Sequence, residues 1–153
     1  ITPLLASPAA LAETVRALAA RMDRPDAVVA IESRGFVFGT GLAMHWGVPF
    51  VPARKFGKLP GATVREVYSL EYGEDTLELH RDSLRAGQRV AIVDDLLATG
   101  GTAAATARLV EQLEAKVAAL LFVVELKGLG GRDRLAPYRV ESLLDYDVTV
   151  GQP

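Results

Sequence analysis

The chain has 153 residues, of which 50% are hydrophobic and 24% are charged, the size and composition of one globular domain with its own core. The net charge of −2 argues against general binding to nucleic acid or to a membrane surface, and no apolar run reaches the ~18 residues of a membrane span. No cysteine is present, which excludes disulfides and thiolate chemistry and fits a reducing compartment, so we expect a cytoplasmic location.

Apolar periodicity predicts alternating helices and strands. Ser7 and Pro8 are typical of a helix start, and the apolar stripe that follows extends to Met22. After it we expect strands over 28–31, 48–53, 65–70, 76–80, 90–93, 118–124 and 140–144, helices over 36–45 and 103–113, and a glycine turn over 128–131. Strands separated by helices imply an α/β fold with a doubly wound, mostly parallel central sheet, which binds ligands at the carboxyl ends of its strands.

Residues 54–80 interrupt this alternation, and we call them the arm. They begin as a basic, glycine-rich loop and continue as two strands around Gly73. A two-stranded unit alone is only marginally stable in water, so we expect the arm to be flexible and to close over a substrate. Glu71 in the arm is then a candidate acid or base; a surface glutamate paired with a lysine is the alternative.

The most informative segment is Arg89–Thr102, RVAIVDDLLATGGT. Its apolar run stops at the carboxylates Asp94 and Asp95 and passes through small residues into a helix. Glycine allows a close backbone approach and a helix N-terminus attracts anions, so residues 98–102 are expected to hold a phosphate. The carboxylates can bind sugar hydroxyls, directly or through a metal. The segment predicts a pocket for a phosphorylated ribose, and it is neither a Walker A loop nor a GxGxxG fingerprint.

Two further clusters follow strands and are expected at the same edge of the sheet. Glu32-Ser33-Arg34-Gly35 offers a hydroxyl, a glycine backbone and an arginine fork to an anion. The alternative is an ordinary strand-to-helix turn in which Ser33 is the N-cap. Arg54, Lys55 and Lys58 place three cations within five residues, which would neutralise a pyrophosphate. A solvated basic loop is the alternative for this cluster.

These motifs resemble, in their order and spacing, those of the adenine phosphoribosyltransferases, a branch of the type I phosphoribosyltransferases. The similarity covers essentially the whole chain and rests on ESRGF at 32–36, RKFGKLPG at 54–61, SLEYG at 69–73, VDDLLATGGT at 93–102 and LAP at 135–137. It implies one phosphoribosyltransferase domain over residues 1–153, which transfers the 5-phosphoribosyl group of phosphoribosyl pyrophosphate (PRPP) to adenine in purine salvage. The products would be AMP and pyrophosphate, and Mg²⁺ would be held mainly by PRPP and water.

The resemblance also implies which residues bind PRPP. The 5′-phosphate would lie on the backbone N–H groups and hydroxyls of a segment that we call the phosphate loop, Ala98, Thr99, Gly100, Gly101 and Thr102. Pyrophosphate would be bound by Ser33, Arg34, Arg54, Lys55 and Lys58. In the family the peptide bond before the serine of the first cluster is often cis.

Catalytic roles follow from the same resemblance. Asp94 and Asp95 would bind the ribose hydroxyls and stabilise positive charge on the ring in an oxocarbenium-like transition state. Arg34 would draw out the pyrophosphate, and Glu71 would act as acid or base on the purine. The base itself would pack against two leucines, Leu96 and Leu126.

The family implies a homodimer and a segment before Ile1 that covers adenine as a hood. Because the sequence opens at Ile1 without a methionine, we expect this segment to be missing and the hood to be truncated. Leu96 and Leu126 cannot read the exocyclic group of a purine, so another base such as hypoxanthine, guanine, xanthine or orotate is an alternative. A PRPP-binding regulator without catalysis is another, which the balanced charge and the intact SLEYG segment oppose.

Overall fold

The computed structural model describes residues 1–70 and 73–148. In chain order its elements are α1 (Thr2–Leu5), α2 (Pro8–Ala19), β1 (Ala27–Ile31), α3 (Gly35–Trp46), β2 (Phe50–Lys55), β3 (Thr63–Leu70), β4 (Gly73–His80), β5 (Arg89–Leu97), α4 (Gly101–Gln112), β6 (Lys116–Lys127), α5 (Gly131–Arg134) and β7 (Val140–Asp147). Within these ranges no helix is both long enough and apolar enough to cross a bilayer.

The strands form one sheet in the order β3-β4-β2-β1-β5-β6-β7. The five strands from β2 to β7 along this order are parallel, and β4 joins them antiparallel to β2. From β1 the chain moves outward to β2 on one side and to β5, β6 and β7 on the other. The order therefore reverses between β1 and β5, which is the point at which doubly wound sheets bind ligands. The predicted fold class is confirmed.

Helices cover both faces of the parallel strands because the central strands are apolar on both sides. On one face, α3 packs Phe38 and Leu42 into a cluster that includes Val28 of β1. On the other face, Leu109 of α4 packs into a cluster that includes Ile92 of β5. Burial of each such side chain stabilises the fold by ~1.5–3 kcal/mol, so this core holds the strand ends in fixed positions.

The first long helix is shorter than the sequence predicts. Ser7 accepts a hydrogen bond from the Ala10 N–H and Pro8 follows it, as expected for a helix start. The apolar stripe predicts a helix that extends to Met22, but α2 ends at Ala19. Met22 nevertheless packs against the core from the turn that follows. The stripe therefore records which side chains are buried, not where the helix ends.

The strands around the ligand edge are longer than their apolar runs. Asp94 and Asp95 were expected after the end of a strand, but β5 continues to Leu97. The reason is pairing with β6, which reaches Leu97 opposite Glu125. β6 and β7 extend in the same way, paired as far as Lys127 opposite Asp147. Both carboxylates therefore lie on a rigid strand and not on a loop.

The arm contains the predicted two strands, and they are built into the sheet. β3 and β4 pair antiparallel from Thr63 opposite His80 to Leu70 opposite Gly73. β4 also pairs with β2 through Leu77, which is opposite Lys55. Side chains of both arm strands, Tyr68 and Leu77 among them, are buried in the cluster that contains α4. Packing against α4 and β2 thus supplies the stability that a two-stranded unit lacks alone.

Candidate functional site

A cavity of about 340 Å³ opens at the carboxyl ends of β1, β2 and β5, where the strand order reverses. Seven of the residues that the sequence predicts for a site line it together: Ser33, Arg34, Lys55, Asp94, Asp95, Leu96 and Thr102. The other lining residues are Ile31, Glu32, Tyr68, Asp75 and Leu77. Residues far apart in the sequence meet here because parallel strands end at the same edge of the sheet.

The carboxylate pair of β5 lies at the base of this cavity, and its two members have different surroundings. Asp95 is buried and accepts a hydrogen bond from Arg34 Nε at 2.5 Å. That hydrogen bond raises the pKa of Arg34. Burial raises the pKa of Asp94 to about 8. The hydrogen bond that its Oδ1 accepts from the Asp95 N–H at 2.8 Å acts in the opposite direction, and the neighbouring Asp95 side chain adds to the increase. At neutral pH the Asp94 carboxyl therefore keeps its proton and can donate a hydrogen bond.

The phosphate loop lines a second, smaller cavity beside the first. This cavity has a volume of about 90 Å³, is bordered by all five residues of the loop, and shares Asp94, Leu96 and Thr102 with the larger cavity. Gly100 has a left-handed backbone with φ +75°, and α4 begins at Gly101 without a side-chain cap among the described residues. The N–H groups of the first helical turn are thus available to an anion.

The glycine turn at the start of α5 packs directly on the phosphate loop. A Cβ atom at Gly131 would lie 2.2 Å from the Ala98 carbonyl oxygen and 2.9 Å from Leu97 Cδ1. A Cβ at Gly100 would lie 2.8 Å from the Gly131 oxygen. The sequence predicts the turn but not this contact, because nothing local in either segment points to the other. Gly131 therefore supports the conformation of the phosphate loop.

Glu32 contacts all three members of the basic cluster at the end of β2, which are Arg54, Lys55 and Lys58. Its Oε1 lies 3.1 Å from both Arg54 Nη2 and Lys58 Nζ, and its Oε2 accepts the Lys55 backbone N–H at 3.0 Å. Burial acts to raise the pKa of Glu32, but these hydrogen bonds outweigh it and lower the pKa to about 2. Arg54 and Lys58 therefore point at a carboxylate that lines the larger cavity, without lining it themselves.

The strand-to-helix turn after β1 differs from an ordinary capped turn. Arg34 occupies the N-cap position of α3 and no side chain caps that helix within the described residues, so the alternative with Ser33 as the N-cap is not observed. The peptide bond between Glu32 and Ser33 is cis, as in the family that the sequence resembles.

Besides Leu77, two polar arm residues that the sequence does not point to also line the cavity. The Tyr68 hydroxyl donates a hydrogen bond to Asp75 Oδ2 at 3.3 Å, and Asp75 Oδ2 lies 2.9 Å from Lys55 Nζ. Burial raises the pKa of Tyr68, and a hydrogen bond with the Thr102 hydroxyl acts to lower it. The hydrogen bond from Lys55 lowers the pKa of Asp75. Their contacts depend on how the arm pairs with β2, which no short motif records.

The remaining predicted residues lie elsewhere. Leu126 lines a separate cavity of about 240 Å³ with residues from Glu125 to Asp133, so the structure does not bring it to the same cavity as Leu96. Glu71 lies outside the described residues. Within those residues no group of three His, Cys, Asp or Glu side chains is arranged to hold a metal ion. Mg²⁺ keeps much of its water in proteins and takes other ligands from substrate phosphates, which agrees with an ion held mainly by PRPP.

Comparison with known proteins agrees with the sequence and the geometry. Residues 2–152 match the phosphoribosyl transferase domain family. The chain is 55% identical over 150 residues to the adenine phosphoribosyltransferase of Clostridium perfringens, across 97% of this chain and 87% of that protein. The crystal structure of the adenine phosphoribosyltransferase from Thermoanaerobacter pseudethanolicus has a TM-score of 0.93 at 48% identity, across 95% of this chain and 86% of that one.

A further relative was crystallised with ligands. The adenine phosphoribosyltransferase of Saccharomyces cerevisiae, complexed with D-2,5-dideoxy-2,5-imino-altritol 1,6-bisphosphate and adenine, has a TM-score of 0.88 at 44% identity. That match covers 94% of this chain and 84% of the yeast chain. These similarities confirm the resemblance that the motifs indicate. The chain belongs to the type I phosphoribosyltransferase family, among its adenine phosphoribosyltransferases.

Proposed function

We propose that this chain is the enzyme that transfers the 5-phosphoribosyl group of PRPP to adenine, releasing pyrophosphate and forming AMP in purine salvage. The observation that carries the proposal is a pair of adjoining cavities, which share Asp94, Leu96 and Thr102 and bring three features together at the strand-order reversal. They are the carboxylate pair of β5, the phosphate loop, and the cations Arg34 and Lys55. The choice of adenine rests on the relatives, which are adenine phosphoribosyltransferases.

PRPP carries a phosphate at one end of its ribose and a pyrophosphate at the other, and the site offers an anion-binding segment for each. The phosphate loop would bind the 5′-phosphate through N–H groups at the start of α4, where the helix dipole favours negative charge. The pyrophosphate would lie against Ser33, Arg34 and Lys55. Arg54 and Lys58 would add positive charge from their positions at Glu32.

The carboxylate pair lies where the ribose would be held between these two segments. When the bond from the ribose C1 to pyrophosphate breaks, the leaving oxygen keeps the electron pair and positive charge develops on the ring. Asp95, fixed by Arg34, would stabilise that charge. Asp94 would hold a ribose hydroxyl by donating the proton that its raised pKa retains. A nitrogen of adenine would then form the new bond to C1.

The base would pack on Leu96, which lines the cavity, and Glu71 would act as acid or base on the purine. Support for Glu71 comes from the arm, because Tyr68 and Asp75 on its two strands line the cavity. We expect Glu71→Gln to lower kcat more than it weakens PRPP binding, as steady-state kinetics and calorimetry can compare. A loss of PRPP affinity alone would count against the acid or base role. Leu126 stays a prediction.

We also propose that Mg²⁺ assists the reaction and that residues 1–153 act as one phosphoribosyltransferase domain. PRPP oxygens and water would hold the ion, which would neutralise charge on the leaving pyrophosphate. A homodimer is supported by apolar side chains that α3 leaves in solvent, Val37 at 39% and Met44 at 79% exposure. A cytoplasmic location is supported by a sequence without cysteine.

Incubation of the full chain with PRPP, Mg²⁺ and one base at a time tests the proposal, with chromatography of the nucleotide and an assay of pyrophosphate. We expect AMP and an equal amount of pyrophosphate with adenine, and no nucleotide with hypoxanthine, guanine, xanthine or orotate. Turnover of another base would overturn the specificity while keeping the reaction class. Binding of PRPP without turnover of any base would overturn the enzyme itself.

A further inference from the structure

Every cation expected to face pyrophosphate already has a carboxylate partner within the protein. Asp95 pairs with Arg34, and Glu32 pairs with both Arg54 and Lys58. These two acids belong to β5 and to the turn after β1, at the rigid edge of the parallel sheet. The partner of Lys55 is different, since Asp75 belongs to β4 of the arm.

The Asp75 carboxylate is held in place by three donors. Its Oδ1 accepts the Thr76 N–H at 2.8 Å, while its Oδ2 faces Lys55 Nζ at 2.9 Å and the Tyr68 hydroxyl at 3.3 Å. The side chain of Asp75 is 22% exposed and that of Lys55 is 54% exposed, and both line the larger cavity. A fixed negative charge thus lies at the place where the anionic end of PRPP would meet Lys55.

We propose that Asp75 is a positioning residue that holds Lys55 in the cavity and competes with pyrophosphate for it, so that the carboxylate weakens binding of PRPP and pyrophosphate. The inference rests on the proposed function, which places pyrophosphate at Lys55. An anion that reaches Lys55 either replaces the carboxylate or lies beside it, and a like charge nearby is unfavourable in both cases. Asp75 therefore favours release of the product pyrophosphate.

Glu32 does not have this property, although it also pairs with cations. Its side chain is only 11% exposed and it accepts a backbone N–H of the basic loop, so it orders the loop itself. Asp75 makes its backbone hydrogen bond only to its own neighbour in β4. Its contact with Lys55 links β4 to β2 through side chains that line the cavity. A ligand can therefore replace Asp75 as the partner of Lys55 without breaking backbone pairing.

Asp75→Asn tests the inference because the amide keeps the size of the side chain and an acceptor for the Thr76 N–H while it removes the charge. Glu74→Gln is the matched control, since it removes the same charge one position away at an exposed site. Two quantities are measured: the Kd of PRPP by calorimetry, and the inhibition constant of pyrophosphate in AMP synthesis. We expect both to fall about three- to tenfold in Asp75→Asn and to stay unchanged in Glu74→Gln, with the KM for adenine unaffected.

Two more variants separate this effect from structural damage. Asp75→Ala is expected to tighten binding as Asp75→Asn does, whereas damage to the site would weaken it. In a Lys55→Met background, Asp75→Asn should tighten binding less than it does in wild type, because competition for the Lys55 amine is then absent and only direct repulsion of the anion is relieved. Unchanged or weaker binding in Asp75→Asn, or the same gain without Lys55, would overturn the inference. A wild-type chain that neither binds PRPP nor forms AMP would overturn the proposed function, and this inference with it.

Discussion

Asp94 and Asp95 are neighbours in sequence, but a strand directs successive side chains to opposite faces. Asp95 forms an ion pair with Arg34, whose Nε lies 2.5 Å from its Oδ2. Asp94 is surrounded by protein next to an existing negative charge, and its pKa rises to about 8. Near neutral pH Asp94 of the ligand-free protein therefore keeps its proton, whereas the sequence alone suggests two carboxylates. One member can accept hydrogen bonds from the ribose while the other donates.

The raised pKa of Asp94 predicts how stability depends on pH. The folded chain binds this proton more tightly than the unfolded chain, whose carboxyl titrates near the ordinary value of 3.8. Its stabilising effect is complete below that value and is lost as the pH rises through about 8. We expect the unfolding temperature of the ligand-free protein to fall between about pH 5 and pH 8 more steeply for wild type than for Asp94→Asn.

Scanning fluorimetry across this range measures the difference. Glu32 does not affect this comparison, because its pKa is lowered from 4.5 to about 2. Its contribution to stability is lost only as the pH falls from about 4.5 to about 2, below the range that is measured. Parallel curves for wild type and Asp94→Asn would show that Asp94 does not hold its proton in the folded state.

At the scale of the elements, the basic cluster at the end of β2 has one member that lines the cavity and two that do not. Lys55 lines the cavity, whereas Lys58 pairs with Glu32 and does not itself line the cavity. We expect Lys55→Ala to weaken PRPP binding about tenfold and Lys58→Ala to weaken it less than about threefold. Calorimetry with PRPP compares the two variants, each of which loses one lysine from the same short loop. Equal losses would contradict this division.

The start of α5 and the phosphate loop form a second pair of elements that depend on each other. Gly131→Ala would place a Cβ atom 2.2 Å from the Ala98 oxygen, so the loop must shift to admit it. A shift of that loop displaces the N–H groups that bind the 5′-phosphate. We expect the KM for PRPP to rise several-fold and the unfolding temperature to fall, while the KM for adenine changes little. Steady-state kinetics with each substrate varied in turn measures this, and an unchanged KM for PRPP would contradict the support role.

On the scale of the whole molecule, the sequence predicts the sheet and most of the site because their signals are local. Buried strands are continuous apolar runs, and the phosphate loop and the segment around Ser33 directly follow such runs. Topology then brings their carboxyl ends together without further information. The sequence predicts the ends of strands less accurately. β5 extends to Leu97, beyond its apolar run, because it pairs with β6.

What the sequence misses depends on contacts between distant segments. Asp75 faces Lys55 only because β4 pairs with β2 in one register, with Leu77 opposite Lys55. Gly131 supports the phosphate loop only because the segment that follows β6 packs against Leu97 and Ala98. Neither residue carries a recognisable motif, and both follow from the packing of the entire sheet.

The central claim is that the cavity at the strand-order reversal is where the phosphoribosyl group is transferred. Comparison of AMP synthesis by wild type and Asp95→Asn tests it most directly, with a substitution at an exposed aspartate that does not line the cavity, Asp82→Asn, as the control. The asparagine keeps the size of the buried side chain, and Arg34 is 59% exposed, so the fold should persist. We expect wild type and the control to form AMP from adenine and PRPP at equal rates, and Asp95→Asn to lose about 10²-fold in kcat. Wild-type kcat in Asp95→Asn would contradict the claim.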